Sequence, residues 1–189
     1  MLSTFKAVLT GTAPLMMHNE RLANPKDPHT RALKALTSVK KKTDETLDEI
    51  QKVEWVGGLY EKDGMVVLPA ANVLAALKNG AQKLKRGKDI SSSVFSTEAF
   101  YTLHYGGPKD LDKLYADGRF NDYRSVGVNR ARVMRSRPIF PQWSAQVDLD
   151  FDHDVIDADT IAQALTIAGK QIGVCEHRPQ YGRFSLEVL

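Results

Sequence analysis

Four arginines, Arg130, Arg132, Arg135 and Arg137, fall within eight positions, with no acid among them. Val133 and Met134 divide them into two pairs, and Pro138 opens the segment PIFPQW that follows. A guanidinium is planar, permanently charged and able to make bidentate contacts with phosphate, so such a run fits a polyanionic ligand. On a regular strand Arg130 and Arg132 point to one face, and Arg135 and Arg137 to the other. One extra residue at Val133-Met134, a β-bulge, brings all four onto one face. That predicts a bulged basic ribbon, or a strand passing into a loop, that tracks phosphates. The competing arrangement pairs these arginines with the aspartates of 148–154 on a neighbouring strand, with RPIFPQW as the turn between.

Charge is segregated along the rest of the chain as well. From Arg119 to Arg137 there are six arginines and one acid, Asp122, and from Lys78 to Lys88 five basic residues and no acid. Asp148 to Asp159 holds six aspartates and no lysine or arginine. The net charge of +3 is small, so the patches carry the signal, and the basic ones call for a polyanionic partner. Lys78, Lys83 and Arg86 are the candidates in the second patch. The stretch GVCEHRPQYGRF adds Arg178 and Arg183 beside Tyr181 and Phe184. Arginine next to an aromatic is the combination that holds single strands, charge for phosphate and a ring for the base.

Other chemistry finds no anchor. DLDFDHDVIDAD has acids at the first, third and fifth positions of a calcium loop. His153 stands where the turn needs glycine, and Asp159 where a bidentate glutamate belongs. The five histidines show no ligand spacing, and Cys175-Glu176-His177 lacks a second ligand pair. There is no glycine-rich phosphate loop and no GxSxG elbow, so no catalytic residue, metal or cofactor is assigned. The single cysteine cannot form an internal disulfide, which fits a reducing compartment. No apolar run reaches the roughly 18 residues of a membrane helix, and no signal peptide opens the chain, so the expected location is the cytoplasm, with no membrane partner.

The elements that must position these residues follow from periodicity. Residues 4–11 alternate as a strand, and a proline-rich loop follows. Helices are expected over Thr30–Val39 and Asp44–Trp55, the second capped by Thr43. A hairpin turns at Lys62-Asp63-Gly64. Pro69 opens a helix over 70–86 with the stripe Val73, Leu74, Leu77, Ala81 and Leu84, and Gly87 stops it. KDISSS reads as a loop, EAFYTLHYGG as a strand and Leu111–Tyr115 as a short helix. Val147, Leu149 and Phe151 alternate with Asp148, Asp150 and Asp152 in a half-buried strand. Asp157 caps a helix over 158–172 with the stripe Ile161, Leu165, Ala168 and Ile172, and RFSLEVL closes as a strand. The chain reads as one domain, 1–189, with residues 12–69 inserted after the first strand. Without the insertion the order is strand, helix, strand, strand, helix, strand: an α+β, ferredoxin-like (RRM-like) core. Its helices cover one sheet face and leave the other open, the face that RNA-recognition modules use.

Several segments share one resemblance. VVLPAANVLAALKNGAQKL resembles the strand, proline, small residues and helix of "IPGSSLKGALR" in the RAMP superfamily, which forms CRISPR effector backbones. FKAVLTGTAPLMMH resembles that family's first strand and loop, and IGVCEHRPQYGRFSLEV its glycine-rich loop before the last strand. The chain is also similar to small phage-encoded proteins with RPIFPxW and RPxxGRF segments. It departs from the family pattern at Asn72 and Val73, which replace small serines, and keeps only Gly173 and Gly182 of a richer glycine pattern. The resemblance implies single-stranded nucleic-acid binding, with Lys78, Arg178 and Arg183 at matching segments. Some members cut RNA with an aspartate in the loop after the first strand, where Asp27 lies. The expectation is therefore a single-stranded nucleic-acid-binding protein of little sequence preference, acting on phage single-stranded DNA in replication or recombination in the host cytoplasm. Binding along a strand favours neighbour contacts, hence a homo-oligomer or filament. The alternatives are an assembly protein whose charge patches join subunits, and a RAMP-like RNA endonuclease using Asp27.

Overall fold

Alternating apolar residues at 5–9 and 145–151 build the two long strands at the centre of the main sheet. The structure is a computed structural model that describes residues 1–128 and 131–189. In chain order the elements are β1 (Leu2–Gly11), β2 (Leu15–Met16), a 3-10 turn (Glu20–Ala23), α1 (Pro28–Thr37), α2 (Asp44–Gly58), β3 (Glu61–Lys62), β4 (Met65–Pro69), α3 (Ala70–Lys83), α4 (Gly87–Ser93), β5 (Val94–Phe95), β6 (Phe100–Thr102), α5 (Leu111–Ala116), β7 (Asn121–Val128), β8 (Ala131–Phe140), β9 (Ser144–Asp152), α6 (Ala158–Gln171) and β10 (Phe184–Val188). The protein is α+β with antiparallel sheets.

The chain divides into two compact units. Unit 1 is Met1–Leu15, Met65–Gly106 and Pro141–Leu189; unit 2 is Met16–Gly64 and Gly107–Phe140. The expected insertion is 12–69, and the segment of unit 2 in that part of the chain is 16–64. Residues 107–140 are the other segment of unit 2, in which β7 and β8 pair with each other.

Unit 1 holds a four-stranded sheet in the order β10-β1-β9-β5, with every neighbouring pair antiparallel. Phe5, Ala7 and Leu9 of β1 and Val147, Leu149 and Phe151 of β9 are buried, as their alternation predicts. Val73, Leu77 and Ala81 of α3 and Ile161, Leu165 and Ala168 of α6 are buried too, whereas Leu74, Leu84 and Ile172 are half-buried. The two helices approach closely at Gly80, where a Cβ would lie 2.1 Å from the carbonyl oxygen of Ala164. Asp157 caps α6 by accepting from the Thr160 N–H at 2.7 Å.

Three local expectations are corrected. The strand at 98–107 is only Phe100–Thr102 and pairs with β4, while Val94–Phe95 takes the edge of the main sheet against Phe151 and Asp150. KDISSS lies in helix α4 rather than in a loop. Gly87 opens that helix instead of stopping α3. The stop is Lys85, in the left-handed region at φ 60, with Arg86 N–H on Ala81 O at 2.8 Å and Lys85 N–H on Gln82 O at 3.0 Å. This is the paired bonding of a Schellman end with lysine where glycine is usual.

In unit 2 α1 packs on α2 and α2 on β8. Thr43 caps α2 as expected. Trp55 is buried and donates from Nε1 to Phe120 O at 2.7 Å, which fixes the base of β7 to the helix. Gly58 lets Pro138 approach to 3.2 Å of where a Cβ would sit. β8 lies between β7 and the short β2 at which the chain passes between the units.

Candidate nucleic-acid interface

The arginine run forms β8, and its pairing with β7 decides where the side chains point. The register is one-to-one from Asn121↔Pro138 to Val128↔Ala131, passing through Val126↔Val133 and Ser125↔Met134. The bulge expected at Val133-Met134 is therefore absent among the described residues, because every position there keeps a partner. Arg132 shares a face with Tyr123, Ser125 and Met134, and Arg135 and Arg137 share the other with Arg124 and Val133. Arg130 lies outside the described residues.

The aspartates of 148–154 do not lie on a strand that neighbours β8, whose partners are β7 and β2. β9 lies between β1 and β5, and its acids have partners there. Asp148 meets Lys6 Nζ at 3.4 Å, Asp150 accepts from Thr4 Oγ1 at 2.7 Å, and Asp152 and Asp154 hold the Met1 amino group at 3.3 and 3.1 Å. Arg135 pairs instead with Glu54 of α2 at 2.6 Å, and the other oxygen of that carboxylate accepts the Ser136 N–H at 2.9 Å. Glu54 is 3% exposed, so Arg135 holds the ribbon to its helix. Arg137 is half-buried opposite Asp122, and Arg124 pairs with Asp122.

The outer part of the ribbon is different. Ala131 to Met134 are all exposed, with Val133 at 38% and Met134 at 45%, and Tyr123 on the facing strand is 45% exposed. Arg132 donates to Ser125 Oγ at 3.2 Å and otherwise projects into solvent on the face of Tyr123 and Met134. Over Ala131 to Met134 the ribbon buries neither face, so this stretch gains little from its own packing.

In unit 1, Lys78 is exposed and lines a groove of about 780 Å³ beside α3 and α4 together with Lys85 and Lys88. Sequence reasoning placed those two in a basic patch but did not single them out; Lys85 lies at the left-handed turn between α3 and α4, and Lys88 in the first turn of α4. Lys83 is exposed but is not among the groove's lining residues. Arg86 is structural: it pairs with Asp89 and donates to Val155 O at 2.9 Å. Arg178 and Arg183 are exposed, and Tyr181 is half-buried edge-on to His177 with ring centres 6.2 Å apart. Phe184 is core. Burial pushes the Cys175 thiol up to about 12, against the opposing effect of the hydrogen bond that Asn72 donates to its sulfur at 3.4 Å.

Asp27 caps α1 and accepts the His29 N–H at 2.8 Å. Burial raises its carboxyl, but backbone hydrogen bonds from His29 and Thr30 outweigh that and hold it below the usual value. Its oxygens serve the turn that a proline-flanked aspartate makes. Among the described residues no cluster of three or more His, Cys, Asp or Glu could hold a metal ion, and no helix is long and apolar enough to cross a membrane.

The sheet face away from the buried strand residues carries Lys6, Asp148, Asp150, Asp152 and Glu187, with exposed Phe95 beside Asp150. Four acids against one paired lysine repel phosphate. The acidic charge of this sheet face thus disfavours a nucleic acid there. No family model matches the chain, and no curated protein matches it.

Proposed function

We propose that the protein binds single-stranded nucleic acid, with little sequence preference, along the outer part of the β7–β8 ribbon. The observation that carries this reading is the exposure of Arg132 with Tyr123 and Met134 on one ribbon face, and of Val133 beside Arg124 on the other. A guanidinium supplies the phosphate contact, and a solvent-facing tyrosine ring offers a base a stacking surface worth roughly 1–3 kcal/mol. Stacking needs unpaired bases, which favours single strands over a duplex. Arg132 becomes the central arginine, because Arg135 is committed to Glu54; Arg124 assists from the other face, paired with Asp122 but with 42% of its side chain in solvent.

The ferredoxin-like reading of unit 1 is part of the proposal. Its support is the order β10-β1-β9-β5 with α3 following β1 and α6 following β9, the split βαβ arrangement. In this reading the fold does not lend its open sheet face to the ligand, since that face is acidic. The RAMP-like and phage-type resemblance agrees with a nucleic-acid ligand, single-stranded DNA being the first candidate, and with copies lined along a strand.

The test is competition. Labelled single-stranded DNA and RNA and the matching duplex are titrated against the parent protein and an Arg124→Gln, Arg132→Gln variant. The reading requires single strands to win over the duplex and the variant to bind at least tenfold more weakly. A parent that self-associates but binds no oligonucleotide supports the assembly reading instead.

A further inference from the structure

The groove lined by Lys78, Lys85 and Lys88 has no part in the ribbon. It occupies about 780 Å³ between α3 and α4, and its other lining residues are Gln82, Gly87, Asp89, Ser91 and Ser92. The volume falls in the roughly 300–1,000 Å³ range of small-ligand sites. No aromatic or aliphatic hydrophobic residue lines it; its carbon surface is that of the lysine and glutamine stems. A base would find no ring there to stack on.

Its electrostatics are one-sided. Among the described residues none of the three lysines has an ion-pair partner, and the one carboxylate in the lining, Asp89, is already held by Arg86. The serine hydroxyls donate to backbone carbonyls, Ser91 to Gly87 at 3.0 Å and Ser92 to Asp89 at 3.1 Å. That leaves the three ammonium groups as the charged donors to a ligand. A concave surface lined by one sign of charge focuses its field into the cleft. Lys85 sits in the left-handed region, where glycine would be at ease, and only a non-glycine residue there can supply the third ammonium group.

We propose that this groove binds a run of adjacent phosphate groups, read by charge alone. The source is the backbone of a polynucleotide or a free polyphosphate. The first source rests on the function proposed above; the site itself does not, because its residues lie in unit 1 and the ribbon in unit 2.

The experiment follows backbone amide resonances of the full chain during titration with inorganic tripolyphosphate and, separately, with oligo(dT). It is repeated for a Lys85→Gln, Lys88→Gln variant and for the Arg124→Gln, Arg132→Gln variant. Tripolyphosphate is expected to move the amides around Lys85 to Ser92, the lysine variant to bind it at least tenfold more weakly, and the arginine variant to bind it as the parent does. Oligo(dT) moving the same amides assigns the groove to the polynucleotide backbone. Tripolyphosphate binding there while oligo(dT) moves neither groove nor ribbon upholds the site, assigns it to a free polyphosphate, and overturns the ribbon reading alone. The proposal is overturned if neither probe moves these amides, or if the lysine variant binds both as tightly as the parent.

Discussion

Glu54 on α2 and Arg135 on β8 form an ion pair at 2.6 Å, and the same carboxylate accepts the Ser136 backbone N–H at 2.9 Å. One buried acid thus satisfies a charge and a strand N–H that β7 does not reach. Removing it leaves a guanidinium and a backbone donor without partners. Glu54→Ala is expected to lose roughly 3 kcal/mol, the lower end for breaking a buried pair, since the Arg135 side chain keeps 34% of its surface in solvent. Arg135→Glu sets two carboxylates together and destabilises at least as much, whereas Arg132→Gln stays within about 0.5 kcal/mol of the parent. Urea unfolding measures all three. A fully stable Glu54→Ala variant would remove Arg135 from the scaffold and return it to the ligand side.

Lys85 ends α3 at φ 60, a conformation that costs a side-chain-bearing residue about 1 kcal/mol. Lys85→Gly should therefore raise stability by about that amount while weakening tripolyphosphate binding. Opposite signs in the two measurements would show a residue kept for its charge. If stability and binding fall together, Lys85 is a packing residue.

The α3–α6 contact depends on the missing side chain at Gly80. Gly80→Ala puts a Cβ 2.1 Å from the Ala164 carbonyl oxygen and forces the helices apart, at a cost of roughly 2 kcal/mol. Gly106→Ala, where a Cβ meets nothing within 4 Å, serves as the control and should be near neutral. Thermal melts of the pair separate close packing from a general dislike of substitution at glycine.

Asp157 has a carboxyl held below its ordinary value of 3.8, first by the Thr160 N–H and then by the Thr160 hydroxyl. Backbone and side-chain hydrogen bonds depress Asp152 in the same way. For a depressed carboxyl the stabilisation is complete above the unfolded value and disappears as pH falls through the folded one. Stability should thus be level from neutral pH down to about pH 4 and fall below it. Asp157→Ala should cost about 1 kcal/mol at pH 7 and flatten the acid limb. Melting temperatures between pH 2 and 7 test this; an unchanged acid limb in the variant would contradict it.

Much of unit 1 was legible because its core strands and helices have one buried face each. Phe5-Ala7-Leu9 and Val147-Leu149-Phe151 announce period two, and Asp157 and Thr43 announce caps that the helices use. What periodicity could not show was partnership. The short Val94–Phe95 edge carries no alternation, so the second strand of the main sheet was placed at 98–107. The arginine run stands out in the sequence, but its register depends on β7, whose sequence NDYRSVGV has too mixed a pattern to declare a strand. Glu54 gave no signal, since a glutamate near the end of an exposed-looking helix reads as solvated until β8 is packed on it. Lys85 was hidden by Gly87 two residues later, the more conventional helix stop.

The most direct measurement is the affinity of a labelled single-stranded oligonucleotide across a series of salt concentrations, for the parent and for Arg124→Gln with Arg132→Gln. Neutralising phosphates on a single strand gives a linear log–log fall with a slope of about −0.7 per contact, so removing two ribbon contacts should flatten it by about 1.4. The predicted result is tight binding at low salt, a steep slope for the parent and a shallower one for the variant. No binding at low salt, or identical slopes for the two proteins, would contradict the assignment of the β7–β8 ribbon as the nucleic-acid interface.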